Sequence, residues 1–222
     1  MKKARFWLRL AVAFLSRFRK IIILTALAGS LIFLSLSWIY PKLPKPKKTE
    51  IIGVTGRFQT ETLPLNILNL LSDGLTKTLT SGEVEPSLAK SWITADSGAT
   101  WIFSLDTSKV WQDGTTLKAS DIKYNFSDVK VEVENDSTIV FKLNEPFSSF
   151  PSAVSKPVFK KGLLGTGNFK VTRISYQGSV IDKLYLEGKN ENRIIKFYPN
   201  EDAAKTAIKL GAIEILNETL GV

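Results

Sequence analysis

The 222-residue chain contains no cysteine and no histidine. Without a thiol there are no disulfides, no thiolate nucleophile and no cysteine to acylate; without imidazole there is no Ser-His-Asp triad and almost no zinc chemistry. A nucleotide site lacks support as well. Gly165-Thr166-Gly167 has neither the Gly-Lys-Ser/Thr ending of a phosphate-binding loop nor the six-residue dinucleotide pattern. Among the acids, Asp113, Asp121, Glu132 and Glu134 have no spacing that puts two carboxylates in one pocket for acid–base work. The expectation is a protein with no catalytic residues, no metal and no cofactor, and so not an enzyme.

What the chain does have is one long uncharged run, Ile21 to Tyr40. At about 1.5 Å per residue it reaches about 30 Å as a helix, one bilayer core, and a helix satisfies its own backbone in lipid. The run is expected to be a transmembrane helix. Lys2, Lys3, Arg5, Arg9, Arg17, Arg19 and Lys20 precede it, and Lys42, Lys45, Lys47 and Lys48 follow it. Seven positive charges against four put the N-terminus in the cytoplasm and the C-terminal part outside, with Trp38 and Tyr40 at the outer interface. Ala26-Leu27-Ala28 has the small-x-small form of a cleavage site, and Leu27-Ala28-Gly29-Ser30 is similar to a lipoprotein box with serine in place of cysteine. Cleavage there would leave LIFLSLSWIY on the mature protein, so a single-pass, uncleaved anchor in the cell membrane is expected.

Charge divides the same way. Residues 1–50 hold eleven Lys or Arg against Glu50 alone, whereas residues 51–222 hold nineteen bases against twenty acids. The basicity therefore belongs to the membrane-proximal part and suits anionic lipid, not nucleic acid, which calls for a basic patch on the folded part. Residues 1–20 are expected to form a basic amphipathic cytoplasmic segment, with Trp7, Ala11, Phe14 and Phe18 on one helical face and Arg5, Arg9, Ser16 and Lys20 on the other. Residues 21–40 are the span, and residues 41–50, rich in Pro and Lys, are a stiff spacer.

The remainder, residues 51–222, alternates between strand and helix signals, which points to a mixed α/β or α+β fold. Strands are expected from near Ile51, at Trp101 to Leu105, at Phe169 to Ile174, at Val180 to Leu186, at Ile194 to Tyr198 and at Ile213 to Leu216. A hairpin joins Val129, Val131 and Val133 to Ile139, Phe141 and Leu143. Short helices are expected at Leu65 to Leu71, after Ser120 and Asp121 through Phe126, and after the capping Asn200 up to Gly211; Glu85 to Ala89 is expected to be a turn.

Several phrases then line up in order: Leu71-Ser72-Asp73-Gly74-Leu75, Glu85-Pro86-Ser87-Leu88-Ala89-Lys90-Ser91-Trp92, Trp101-Ile102-Phe103-Ser104-Leu105, and Val110-Trp111-Gln112-Asp113-Gly114-Thr115 with Ala119-Ser120-Asp121-Ile122. Glu145-Pro146-Phe147 and Gly165 to Lys170 continue the series. Together they resemble the extracytoplasmic solute-binding proteins of peptide and nickel ABC importers, family 5. The resemblance implies a lobe of the type II periplasmic-binding-protein fold that traps an oligopeptide or similar small solute and presents it to an ABC permease. It also implies that the chain lacks the family's second main lobe, unless a separate chain supplies it. A truncated homologue with a structural or interaction role at the envelope is the alternative. Asp106 stands where the family usually has arginine and Gln112 where histidine is common, and the family's helical insertion between Phe126 and Val129 is nearly absent. By position in the resemblance, Gly167, Asn168 and Phe169 are candidate ligand contacts; Arg57 and Phe58, after the first strand, could pair with a solute carboxylate and stack on it.

Protease added to intact cells is expected to cut the chain beyond Tyr40; full protection there would reverse the orientation derived from the flanking charges.

Overall fold

The computed structural model describes residues 2–39 and 47–217. The contribution of Tyr40 to the outer interface and most of the Pro/Lys-rich spacer lie outside the described residues. Contacts divide the chain into two units, Met1–Pro46 and Lys47–Val222.

The first unit is a single helix, α1 (Lys2–Ile39), with no break between the basic segment and the apolar run. Its Arg17–Trp38 stretch is long and apolar enough to cross a membrane, and no part of it is buried against protein. Three hydroxyls within it bond back to the helix: Thr25 Oγ1 donates to the Ile21 carbonyl at 3.0 Å, Ser30 Oγ to that of Ala26 at 2.9 Å and Ser35 Oγ to that of Ile32 at 2.8 Å. These side chains therefore have their partners within the helix itself. On the preceding turns Trp7 and Phe14 are exposed, and the Phe14 and Phe18 rings lie 4.7 Å apart, as residues at i and i+4 do.

The second unit is built on two larger sheets, each with its own core, and a two-stranded one. In the larger, β1 (Lys48–Thr55) lies parallel to both β10 (Glu191–Tyr198) and β11 (Ile215–Asn217), and β10 continues antiparallel through β9 (Val180–Gly188) to β8 (Phe169–Gln177). Alternation along β9 buries Leu184 and Leu186, and a register shift opposite Ser175/Tyr176 of β8 lets Ile181, out of phase by one, point the same way. With Val54, Phe169, Ile195 and Phe197 they meet Ile67 and Leu71 of helix α2 (Leu65–Leu71). Helix α4 (Glu201–Lys209) is capped as its sequence requires: the Asn200 side chain accepts from the Ala203 N–H at 2.9 Å, Glu201 and Asp202 occupy the first turn and Lys209 the last, and Gly211 follows at φ 69°.

The smaller sheet is antiparallel, ordered β4 (Ala89–Thr94), β5 (Thr100–Leu105), β7 (Thr138–Leu143), β6 (Val129–Asn135). Its core is aromatic. Phe103, Phe141 and Phe150, the last from α3 (Phe150–Ala153), pack edge-on or tilted with centroids 5.2–6.4 Å apart. The expected helix after Ser120 is absent, and only a 3₁₀ turn at Ala119–Asp121 forms. Ile122, Tyr124 and Phe126 instead alternate inward while Lys123 and Asn125 face solvent, so period-two burial beneath the sheet overrides the helix-start signal. The expected turn at Glu85 to Ala89 is also corrected: Val84–Pro86 is a strand, β3, paired with β2 (Thr76–Thr78), and its proline falls at the strand end where no ladder donor is needed.

Polar contacts join the two cores. The Gln112 amide nitrogen lies 3.0 Å from the Leu71 and Gly167 carbonyls and 2.8 Å from that of Phe169, its carbonyl oxygen faces the Gly165 N–H at 3.3 Å, and its own N–H donates to Gly165 O at 3.0 Å. Three facing carbonyls fix the amide orientation. Nearby, buried Ser72 donates to the Val158 carbonyl and accepts from the Thr166 N–H at 3.2 Å, and Thr166 Oγ1 bridges the Asp73 N–H and Oδ2, each at 3.1 Å. Trp111, buried, anchors the same segment by donating from Nε1 to Asp121 Oδ2 at 3.1 Å.

Gln112→Leu keeps the side chain's bulk and removes its donors, leaving the Phe169 carbonyl among others unsatisfied. The expected loss is about 2–3 kcal/mol in urea unfolding, with the denaturant slope unchanged if both sheets still unfold together.

Candidate functional site

In an open sheet with parallel strands, ligands are received outside the carboxyl ends of those strands, where neighbouring loops diverge. Here β1, β8, β10 and β11 point the same way, and the chain leaves β1 through Gly56-Arg57-Phe58. Gly56 turns at φ 128°, and a Cβ there would come within 2.4 Å of the Phe58 ring, so the ring folds back over a residue with no side chain. The Gly56 N–H donates to the Tyr198 carbonyl at 2.8 Å and the Ile181 N–H to that of Phe58 at 2.8 Å. These bonds pin the loop across β10 and β9.

The pocket so formed, about 270 Å³, is lined by Gly56, Arg57, Gln177, Ile181, Asp182 and Phe197 among others. Arg57 is exposed and makes no ion pair among the described residues, whereas Asp182 lies 3.4 Å from Lys183. The Tyr198 phenol beside them is pushed up by burial and by the Asp182 charge, so it stays protonated as a donor. Phe58 is half-buried, with its ring 5.5 Å from that of Phe197 in an edge-on contact; one face of its surroundings is core. Chemically, the pocket offers a free guanidinium, a carboxylate and an amide around an aromatic wall.

The other candidates lie elsewhere. Gly167, Asn168 and Phe169 precede or begin β8, whereas the Arg57 pocket is at its far end beside Gln177; nine extended residues at about 3.3 Å each separate them by about 30 Å. The five residues therefore do not line one pocket. A Cβ on Gly167 would fall 2.6 Å from the Leu71 carbonyl carbon, and one on Gly165 2.2 Å from the Leu71 oxygen; both glycines are set by close backbone approach to the end of α2. The Phe169 ring is buried, and the Arg193 guanidinium sits 4.6 Å from its centroid while pairing with Glu50 at 3.0 Å and Glu191 at 2.8 Å. Asn168 alone of the three is exposed, on the rim of a polar pocket of about 390 Å³ with Asn69, Asp73, Thr76 and Lys77. Sequence reasoning did not single out Gln177 or Asp182: both sit in ordinary strand positions, and only the β8–β9 register swings them toward Arg57.

No family model matches the chain. The probable D,D-dipeptide-binding periplasmic protein DdpA of Escherichia coli K12 is 29% identical over 85 residues, covering 32% of this chain and 16% of that protein. The dipeptide-binding protein DppE of Bacillus subtilis 168 is 22% identical over 162 residues, covering 51% of this chain and 30% of that one. Among solved structures, NikZ from Campylobacter jejuni in complex with Ni(L-His) superposes with a TM-score of 0.63 at 23% identity, over 76% of this chain and 43% of NikZ. The chain thus spans less than half the length of the relatives it matches.

One acid near the inter-sheet contacts gives a pH prediction. The Thr115 hydroxyl and N–H, followed by Lys160 at 3.1 Å, hold the Asp113 carboxyl down to about 2. A depressed carboxyl contributes stability that is complete above the ordinary aspartate range and is lost as pH falls toward 2. Thermal melts of Asp113→Asn should therefore lie below wild type at pH 6 and converge with it near pH 2.

The resemblance read from the sequence holds at the level these comparisons reach: the chain carries a mixed α/β fold shared with NikZ and is similar in sequence to two dipeptide-binding proteins.

Proposed function

We propose that the chain is a membrane-anchored, extracytoplasmic solute-binding component of an ABC importer, and that it receives a dipeptide or a similar zwitterion at the carboxyl end of its larger sheet. The observation that carries this is the placement of exposed Arg57, without an ion pair among the described residues, in a pocket at that end that Asp182 also lines. A guanidinium takes a carboxylate in a two-point contact, and the acid complements an ammonium group. The pocket's size suits one terminal residue of a peptide rather than a long chain. Phe197 supplies the pocket's aromatic wall, and the Phe58 ring packs edge-on against it. Asn168 belongs to the opposite end of the sheet, and Gly167 and Phe169 serve packing in this assignment.

In the same proposal residues 1–20 lie on the cytoplasmic leaflet against anionic lipid, residues 21–40 span the bilayer, the part of the 41–50 spacer that precedes β1 holds the folded part off its outer face, the last three spacer residues being already in β1, and a permease receives the solute. The seven-to-four charge bias and the apolar, unburied Arg17–Trp38 stretch support the topology. A pocket open on one side leaves its ligand partly hydrated, so a second lobe, contributed by another chain, would raise affinity by excluding water.

Calorimetry of the detergent-solubilised full chain against a dipeptide mixture is expected to give saturable heat. Arg57→Gln should weaken it by on the order of tenfold or more through loss of the charge-assisted pair, with the thermal melt unchanged. Saturable heat of equal affinity in the variant would remove Arg57 from the site, and no heat with wild type would overturn binding by this chain alone.

A further inference from the structure

The β8–β9 ladder breaks register at one residue near the Arg57 pocket. Ser175 pairs with Lys183 and Tyr176 with Ile181, so Asp182 stands between them with no partner on β8. On the other side the β9–β10 ladder runs from Glu187 to Lys183 and stops, so Asp182 has no partner there either. It is the extra residue of a β-bulge, which interrupts a ladder locally and re-aims a side chain. The same ladder holds a second extra residue, Thr172 on β8, whose hydroxyl ties back to the Tyr185 carbonyl at 3.2 Å. Asp182 makes no such tie. Its carboxylate accepts no hydrogen bond among the described residues, lies 3.4 Å from Lys183, and lines the pocket that Arg57 also lines.

The core gains nothing from this residue. Ile181, Leu184 and Leu186 are all buried in one cluster, which along an unbroken strand would require alternate positions. With Asp182 taken out, the order Ile181-Lys183-Leu184-Tyr185-Leu186 puts them at the first, third and fifth places. The pairs Tyr176–Ile181, Ser175–Lys183 and Ile174–Leu184 then follow one another without a gap. A regular strand is therefore the simpler solution for packing, and the inserted acid forgoes ladder bonds. Departures of this kind that bring no packing gain are expected at functional positions. The local effect here is a carboxylate in a pocket with a guanidinium. Lys183 holds it only loosely: the two side chains are 38% and 35% exposed, and so hydrated an ion pair is weak. An ammonium group brought by a solute can take its place.

We propose that the bulge at Asp182 is the specificity element of the Arg57 pocket, and that the extra residue makes the site select peptides with a free amino terminus over N-acylated ones. This selection rests on the solute site proposed above and decides between solutes that share a carboxylate. Arg57 takes the carboxylate of either kind. Asp182 forms a charge-assisted hydrogen bond only with a protonated amine. An acyl cap removes that charge and brings a carbonyl oxygen beside the acid, so the wrong solute is penalised as well as the right one favoured.

Two probes separate the roles of the acid and the guanidinium: alanyl-alanine and N-acetyl-alanyl-alanine, each titrated by calorimetry into the full chain in detergent. Wild type is expected to bind the free dipeptide about tenfold more tightly, as one charge-assisted hydrogen bond allows. Asp182→Asn keeps the bulge and removes the charge, and should bind the two probes within about twofold of each other. The chain with Asp182 deleted should likewise not discriminate, and it should melt at or above wild type because the ladder closes. Discrimination that survives in Asp182→Asn would overturn the proposal. So would a deletion that melts well below wild type, since the bulge would then belong to the fold. Wild type binding both probes alike would sink the selection and leave the carboxylate site standing, whereas no heat with either probe would remove the site and the selection together.

Discussion

The second unit depends on a polar tie between two hydrophobic cores that do not merge. Each sheet buries its own cluster, one aliphatic under the parallel strands and one aromatic under the antiparallel ones. Between them runs backbone: the end of α2, the Gly165–Phe169 turn and the Trp111–Thr116 loop. Buried backbone groups in such a seam need partners, and Gln112 reaches three carbonyls and one N–H at once. Glycines at 165 and 167 let the strands of that seam approach closely enough for the amide to span them.

That seam explains why the two groups of candidate residues separate in space. The glycine turn is tempting as a ligand loop because Gly and Asn at a strand entry often expose backbone donors. Here polar groups of Gly165, Thr166, Gly167 and Phe169 are taken up by Gln112, Ser72, Asp73 and the Leu71 carbonyl, and the Phe169 ring by Arg193. At the other end of β8, Arg57 emerges from a strand flanked by two parallel neighbours, and among the described residues it makes no ion pair. Free charge at the carboxyl end of a parallel sheet is what a solute-binding surface requires; satisfied polar groups at the amino end are what a structural joint requires.

The edge of the smaller sheet follows from the same architecture. With the aromatic core centred on Phe103, Phe141 and Phe150, the outermost strand overhangs it, and its inward valines remain partly wet. Alternating charge on the opposite face keeps such an edge soluble.

Sequence alone determined the local pieces whose physics is short-range. An uncharged run of bilayer length is a helix wherever it sits, the Asn200 cap with acids in the first turn starts α4, and valines alternating with charges make the β6–β7 hairpin. It determined the absence of thiol and imidazole chemistry as well. Tertiary structure decided everything that rests on register and on non-local pairing. The parallel placement of β1 beside β10 and β11, sequence-distant by well over a hundred residues, leaves no mark in any window of the chain, yet it alone says which strand ends share a rim. It also decided between competing local signals, as when burial of Ile122, Tyr124 and Phe126 on alternate positions outweighed a good helix start at Ser120 and Asp121. Capping is worth about 1 kcal/mol, whereas burying three large apolar side chains contributes several, so the wider contact wins.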